Sequence, residues 1–223
     1  PKTAQPSIGR FEDGYDELGK NGDSVIPIQM MRSISGTVDA ARQAADITET
    51  NVTVVDSDFT SRSMGMIVKE AAKAAQEGKT VEEILEIVED AKKRTTLYLT
   101  VVNLDNLIKG GRISQLMGMF SNLLNIKLFL QVINGKIEII QKGRGLKSLQ
   151  KKYDEIFEQM KAAPNGIQEI GIMHAGLSEF NEGNIARVRE LFPDVPLTIV
   201  TTSPIIMSHT GVDAMAITYL ENK

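Results

Sequence analysis

The stretch Lys127-Leu128-Phe129-Leu130-Gln131-Val132-Ile133-Asn134-Gly135-Lys136-Ile137-Glu138-Ile139-Ile140-Gln141 decides how the fold is read. Two β-rich runs flank Asn134-Gly135. A type I′ turn needs two positive φ angles, which Asn and Gly tolerate best, so Asn-Gly between such runs predicts a hairpin. Ahead of it the pattern is different. Residues 25–28, 51–55 and 96–102 are short apolar runs, separated by helical segments over 37–45, 64–75 and 81–91. Short continuous apolar strands alternating with helices predict a mainly parallel sheet covered on both faces.

Behind the hairpin the order is helix 146–160, strand 168–174, helix 181–191, then strands 197–201 and 215–220. That order predicts a mixed or antiparallel sheet packed on helices. The chain therefore reads as α/β with two domains. The first covers 1–125 and carries the parallel sheet; the second covers 126–223 and begins with the hairpin. Two local signals sharpen the reading. Thr80-Val81-Glu82-Glu83 has the spacing of a capping box. Val81, Ile84, Leu85, Val88 and Ala91 then mark one face of the helix behind it.

Composition excludes several function classes. The 223 residues hold 25 Lys and Arg against 29 Asp and Glu, a net charge of −4, which is a poor footprint for binding nucleic-acid phosphates. There is no Cys, so disulfides, thiol nucleophiles and thiolate metal sites are excluded. The only histidines are His174 and His209, too few for a three-His metal site. No apolar run approaches a membrane span, so stable membrane insertion is not expected. The front of the chain has no apolar stretch of the kind a signal peptide needs. There is no GxxxxGK[ST] loop, no GxSxG elbow, no HExxH pair and no carboxylate-rich calcium loop.

What remains is a set of hydroxyls, one His and one Gly-flanked Arg. Ser35-Gly36-Thr37 stands between a strand and a helix. Such a start offers free N–H groups and a positive dipole end, and Gly36 would let an anion come close. From spacing alone it reads first as an ordinary helix cap. His209-Thr210-Gly211 lies in a predicted loop before the last strand, where the imidazole serves either an anion or the fold. His174 reads as a structural histidine at a strand end. Arg112 follows Gly110-Gly111 and reads either as a turn residue or as a group that docks an acidic partner or a phosphate. The methionines at 30–31, 64, 66, 117 and 119 read as core, or as the lining of a pliable apolar pocket.

In order along the chain these segments resemble the DegV family of bacterial fatty-acid-binding proteins. Thr3-Ala4-Gln5-Pro6-Ser7 is similar to its T-S-Q-P-S segment, with Ala4 in place of Ser. Ser35-Gly36-Thr37 with Ala41 is similar to its S-G-T-x-x-x-A helix start, and Asp56-Ser57 and Ser63-Met64-Gly65 to its D-S and S-M-G elements. Lys109-Gly110-Gly111-Arg112-Ile113-Ser114 matches K-G-G-R-I-S, the most specific of the set. Leu124-Asn125-Ile126-Lys127, His174-Ala175 and His209-Thr210-Gly211 complete it, the last without the family's Pro-Gly.

The resemblance implies two α/β domains with a long-chain fatty acid between them. It implies a non-enzymatic carrier, cytoplasmic, with no cofactor beyond the acyl ligand, acting as the acyl-carrying subunit of a fatty acid kinase system. A separate ATP-using kinase subunit would convert the presented carboxylate to an acyl phosphate. The implied carboxylate-binding residues are Thr3, Ser35, Gly36, His209 and Thr210, and Arg112 is implied to dock the kinase. The alternative is a serine-dependent acyl-ester hydrolase with Ser35 as nucleophile and His209 as base. The resemblance also implies that an opening strand and a T-D-S segment precede Pro1. The chain is therefore expected to be a fragment, or to receive that segment as a separate piece.

Overall fold

The computed structural model of the chain describes residues 2–112 and 125–223. The described residues form an α/β fold with a small parallel sheet and a larger mixed sheet packed on helices. They divide into two compact units. One holds Thr3–Lys93 with Asn134–Lys136, and the other holds the rest of the described chain from Arg94 onward.

In the first unit α1 (Ile8–Gly19) is followed by β1 (Ile28–Gln29), α2 (Thr37–Ala45), β2 (Val55–Asp56), α3 (Ser61–Gln76) and α4 (Val81–Arg94). Strands β1 and β2 pair in parallel, and a parallel bridge joins Val25 to Val52. The expected direction holds, but the regular pairing is only two residues long on each strand. Helix α1 packs on α2, where buried Tyr15 donates its phenol hydrogen to the Ala41 carbonyl at 3.2 Å. The capping box ahead of α4 is formed in both directions. Glu83 N donates to Thr80 Oγ1 at 3.3 Å. Thr80 N donates in return to Glu83 Oε2 at 2.8 Å.

The second unit is built on a six-stranded sheet. Its elements are β3 (Thr95–Val101), α5 (Asp105–Gly110), β4 (Ile126–Ile133), β5 (Lys136–Arg144), α6 (Leu146–Lys161), β6 (Ile167–His174), α7 (Glu179–Leu191), β7 (Leu197–Thr201), α8 (Pro204–Thr210) and β8 (Met215–Glu221). The sheet order is β5-β4-β3-β8-β6-β7. Strand β3 runs antiparallel to both β4 and β8, β8 runs antiparallel to β6, and β6 and β7 are parallel. At the β4–β5 turn Asn134 has φ 48° and Gly135 has φ 68°. These are the two positive angles that the Asn-Gly signal predicts.

The structure moves one boundary. The expected division at Asn125 gave strand 96–102 to the first domain. Instead β3 sits inside the second unit's sheet, and the change of unit falls between Lys93 and Arg94. The physical reason is that a nearly continuous apolar strand reports cover on both faces, not strand direction. Antiparallel partners on both edges bury β3 as completely as parallel ones would. Arg94 is tied to the same sheet by donating to the Glu221 carbonyl of β8.

The faces of this sheet are covered separately. On one, Tyr98, Phe129, Tyr153, Phe157 and Ile217 form the core with α6 and α7. Phe129 and Tyr153 meet edge to face, ring centroids 5.0 Å apart, a favoured aromatic geometry. The Tyr153 hydroxyl lies 3.0 Å from Thr100 Oγ1, which in turn donates to the Met215 carbonyl at 3.0 Å. Burial pushes the Tyr153 phenol up in pKa, so it stays neutral. On the other face Leu104 and Leu107 pack against Val101, Leu128 and Leu130, which seats α5 on the sheet.

Two further expectations differ or fall outside the described residues. The segment ahead of the last strand is not a loop: residues 204–210 form a short helix. Ser203 Oγ accepts from Ile206 N, Pro204 stands at the helix start and Gly211 follows its end at φ 78°. These are ordinary start and stop signals. The Met-rich stretch 116–124, with Met117 and Met119, and Ile113-Ser114 of the Gly-Gly-Arg motif lie outside the described residues.

Phe129 is fully buried at the centre of the aromatic cluster. Phe129→Ala should cost about 3–5 kcal/mol. Urea unfolding followed by circular dichroism checks this as a lowered midpoint with an unchanged slope.

Candidate functional site

The candidate residues fall into two groups, one in each unit. In the first unit the start of α2 gathers most of them. Helix α2 begins after Gly36, and Ala40 N donates to the Gly36 carbonyl at 3.0 Å. The residue at the cap position is thus Gly36, which has no side chain to bond the first turn. Ser35, one residue earlier, supplies the hydroxyl: Thr37 N donates to Ser35 Oγ at 3.2 Å, and Ser35 Oγ lies 2.6 Å from Thr37 Oγ1. Two hydroxyls and the N–H groups of a helix start therefore share one corner. The expected simple cap is instead a hydroxyl turn placed just ahead of the helix.

Gly36 does not need its glycine for conformation, since its φ is −75°. It needs it for space. A Cβ there would collide with Oε1 of Gln5 and stand 3.1 Å from its Cδ. The neighbour that Gly36 admits is the Gln5 carboxamide. This contact brings the 3–5 segment beside the α2 start. Thr3 is half-buried in that segment. Arg32 closes the same corner on its outer side, its Nε donating to Asp39 at 3.0 Å and its backbone N to Asp56 Oδ2 at 3.2 Å.

In the second unit the group is built on α5 and α8. His209 stands on the last turn of α8, half-buried. Its neighbour Thr210 is buried and donates its hydroxyl hydrogen to the Ile206 carbonyl at 3.2 Å, so that hydrogen is already committed to the helix. Arg112 is exposed and folds back, Nη1 donating to the Gly110 carbonyl at 2.7 Å. Burial first, and the Arg112 guanidinium second, hold the His209 pKa below its ordinary value. The imidazole is therefore neutral at pH 7, with one nitrogen able to donate and the other to accept.

The remaining candidates are structural. His174 is buried at the end of β6, and its Nδ1 accepts from Gly176 N at 3.4 Å. Met31 and Met66 are core residues. Among the described residues no group of three or more His, Asp or Glu is placed to hold a metal ion, and no helix is long and apolar enough to cross a membrane. The Ser35 hydroxyl lies against another hydroxyl and a backbone amide. Neither of these is a general base.

The family model described as "Uncharacterised protein, DegV family" matches residues 1–222. The chain belongs to the DegV family. A DegV domain-containing protein of Streptococcus pneumoniae is 41% identical over 217 residues, covering 97% of this chain and 77% of that one. The solved structure of DegV from Bacillus subtilis, described as a fatty acid binding protein, superposes with a TM-score of 0.87 at 28% identity, covering 100% of this chain and 79% of that one. The Fatty Acid Kinase (Fak) B3 protein of S. pneumoniae, solved loaded with linoleic acid, does so with a TM-score of 0.79 at 26% identity, covering 99% and 78%.

Sequence reading of this DegV chain overlooked three supporting residues. Gln5 was visible only as part of a motif, with no signal for its reach to Gly36. Asn106 shows as a polar residue in a short helix, yet its Nδ2 donates to the carbonyls of Met207 at 3.5 Å and Ser208 at 3.3 Å. Gly110 reads as half of a turn. In fact Gly111 makes the turn, at φ 70°, while Gly110 leaves room for the His209 ring.

The His209 shift has a consequence for stability. Its folded pKa is lowered. The unfolded chain, with an ordinary value of about 6.5, therefore binds the proton more readily. The contribution of His209 to stability is whole above about pH 6.5 and is lost as the pH falls from there through the folded pKa. Urea midpoints measured between about pH 5 and about pH 7 should show this loss, and the part attributable to this residue should vanish in His209→Asn.

Proposed function

We propose that this chain carries one long-chain fatty acid and presents its carboxylate to a separate ATP-using kinase, without itself catalysing a reaction. In this reading Thr3, Ser35, Gly36 and His209 are the residues that serve the carboxylate, and Thr210 supports His209 from within the helix. Arg112, exposed beside His209, belongs to the surface that meets the kinase. The bound acyl chain is the only ligand, no cofactor is required, and the protein works in the cytoplasm.

The observation that carries the reading is the chemistry of the donors. Ser35 and Thr37 hydroxyls stand at a helix start, and His209 is a neutral imidazole. A carboxylate accepts several hydrogen bonds, so such donors satisfy it without a full counter-charge. A bound anion also favours protonation of the imidazole, which strengthens that bond. Binding without a permanent ion pair leaves the carboxylate available to a second reactant. The family relationship points the same way: the B. subtilis structure is described as a fatty acid binding protein, and the S. pneumoniae one as the Fatty Acid Kinase (Fak) B3 protein loaded with linoleic acid. Each buried CH₂ contributes about 0.8 kcal/mol, so the tail supplies affinity and the polar residues supply orientation.

Calorimetric titration of the delipidated protein with palmitate and with its methyl ester tests this. Palmitate should bind with 1:1 stoichiometry and the ester far more weakly. Ser35→Ala and His209→Ala should each weaken palmitate about tenfold or more, as expected for a hydrogen bond to a charged group. Equal binding of acid and ester, with both variants unchanged, would remove the carboxylate assignment. Ester turnover abolished by Ser35→Ala would replace the carrier with an enzyme.

A further inference from the structure

We infer that α5 is a positioning clamp for His209, in which Gly110 sets where the imidazole lies and Asn106 holds the helix end that carries it. The reading deepens the proposed function, because it rests on His209 serving the carboxylate. The geometry comes from the second unit alone.

Helix α8 is only Pro204–Thr210, and His209 sits on its final turn. The end of so short a helix frays unless its last carbonyls find donors. Asn106 of α5 provides one, its Nδ2 reaching both Met207 O and Ser208 O. Gly211 then lies over the same element: a Cβ there would meet Asn103 O at 3.5 Å and the Asn106 Cβ at 3.7 Å. The chain leaving α8 thus turns against α5.

Gly110 completes the clamp. A Cβ at this position would overlap the His209 ring at Nδ1 and stand 3.3 Å from both Cε1 and Cγ. The imidazole therefore packs flush on the backbone of the last α5 residue, where only glycine leaves room. Gly110 has no positive φ, so backbone conformation does not demand glycine there. Arg112 bonds the Gly110 carbonyl and is the charged group that acts on His209; Asp105 and Lys109 are the other ionisable groups of α5. The platform itself is fixed by Leu104 and Leu107 in the core beneath it. Neither Asn106 nor Gly110 is proposed to touch the ligand. Both act through His209.

Helix propensity and the clamp predict opposite signs for Gly110→Ala. Alanine is normally the better helix residue. Against His209 it must displace the ring, so the variant should melt a few degrees lower than the parent. In a His209→Ala background the same substitution should be neutral or raise the melting temperature. Such non-additivity is expected of residues in contact. The second readout is the imidazole itself. With two histidines in the chain, the ring Cε1–H signals of the delipidated full protein are assigned by His209→Asn. In Gly110→Ala and in Asn106→Leu the His209 titration midpoint should move up towards about 6.5 as the ring leaves its seat. Palmitate affinity should fall about tenfold in both variants.

Additive melting temperatures with an unmoved His209 titration would overturn the clamp, even if palmitate binding fell. A moved His209 with unchanged palmitate binding would uphold the clamp and overturn the role of His209 at the carboxylate.

Discussion

Strand β3 is held on both edges by antiparallel neighbours, and much of the second unit follows from that. Its registers with β4 and β8 fix the middle of the six-stranded sheet. They also fix where the chain leaves the sheet at Val101. From there Leu104 and Leu107 are drawn onto Val101, Leu128 and Leu130, which seats α5. Once α5 is seated, Gly110 and Asn106 lie against the end of α8 and define the place of His209. The position of one imidazole thus traces back to strand pairing and to a few leucines. Hydrophobic burial supplies the energy in this chain of contacts, while the polar groups supply direction.

The chemistry of the candidate residues is mild throughout. The hydroxyls and backbone amides at the α2 start, and the imidazole kept below its usual pKa on α8, are each suited to holding an anion rather than transforming it. A permanent Lys or Arg contact would bind a carboxylate more strongly but would also mask it. Arg112 instead turns its guanidinium back onto the Gly110 carbonyl and remains exposed. Ion pairs among the described residues include Arg32 with Asp39 on the outer side of the α2 start and Lys92 beside Asp58 at 2.7 Å and Glu89 at 2.9 Å in the first unit.

Features governed by local chemistry were legible in the sequence. Asn134-Gly135 specified its turn, Thr80 and Glu83 their capping box, and the apolar periodicity its helices. Strand direction was not legible in 96–102, because burial on two faces looks the same for parallel and antiparallel partners. The helix at 204–210 was readable in principle from Ser203-Pro204 and Gly211, but its short length and its apolar run favoured a loop between strands. At the site, residue types pointed to Ser35 and His209. Their supports were hidden. Gln5 reaches Gly36 from beyond the whole of α1 and β1, and Asn106 reaches Met207 and Ser208 from the far side of most of the second unit's sequence. No periodicity or spacing rule encodes contacts of that range. Glycines mislead in a related way: Gly36 and Gly110 serve close approach, whereas Gly111 and Gly135 serve positive φ, and sequence alone does not separate the two uses.

In the proposed function the folded protein holds one intact fatty acid. Native mass spectrometry of protein purified gently, without organic solvent or detergent, tests it most directly. A dominant species heavier than the polypeptide by the mass of a single long-chain fatty acid, released as the free acid on collisional activation, is expected. A spectrum showing only the bare polypeptide, which remains bare after incubation with a long-chain fatty acid, would contradict it.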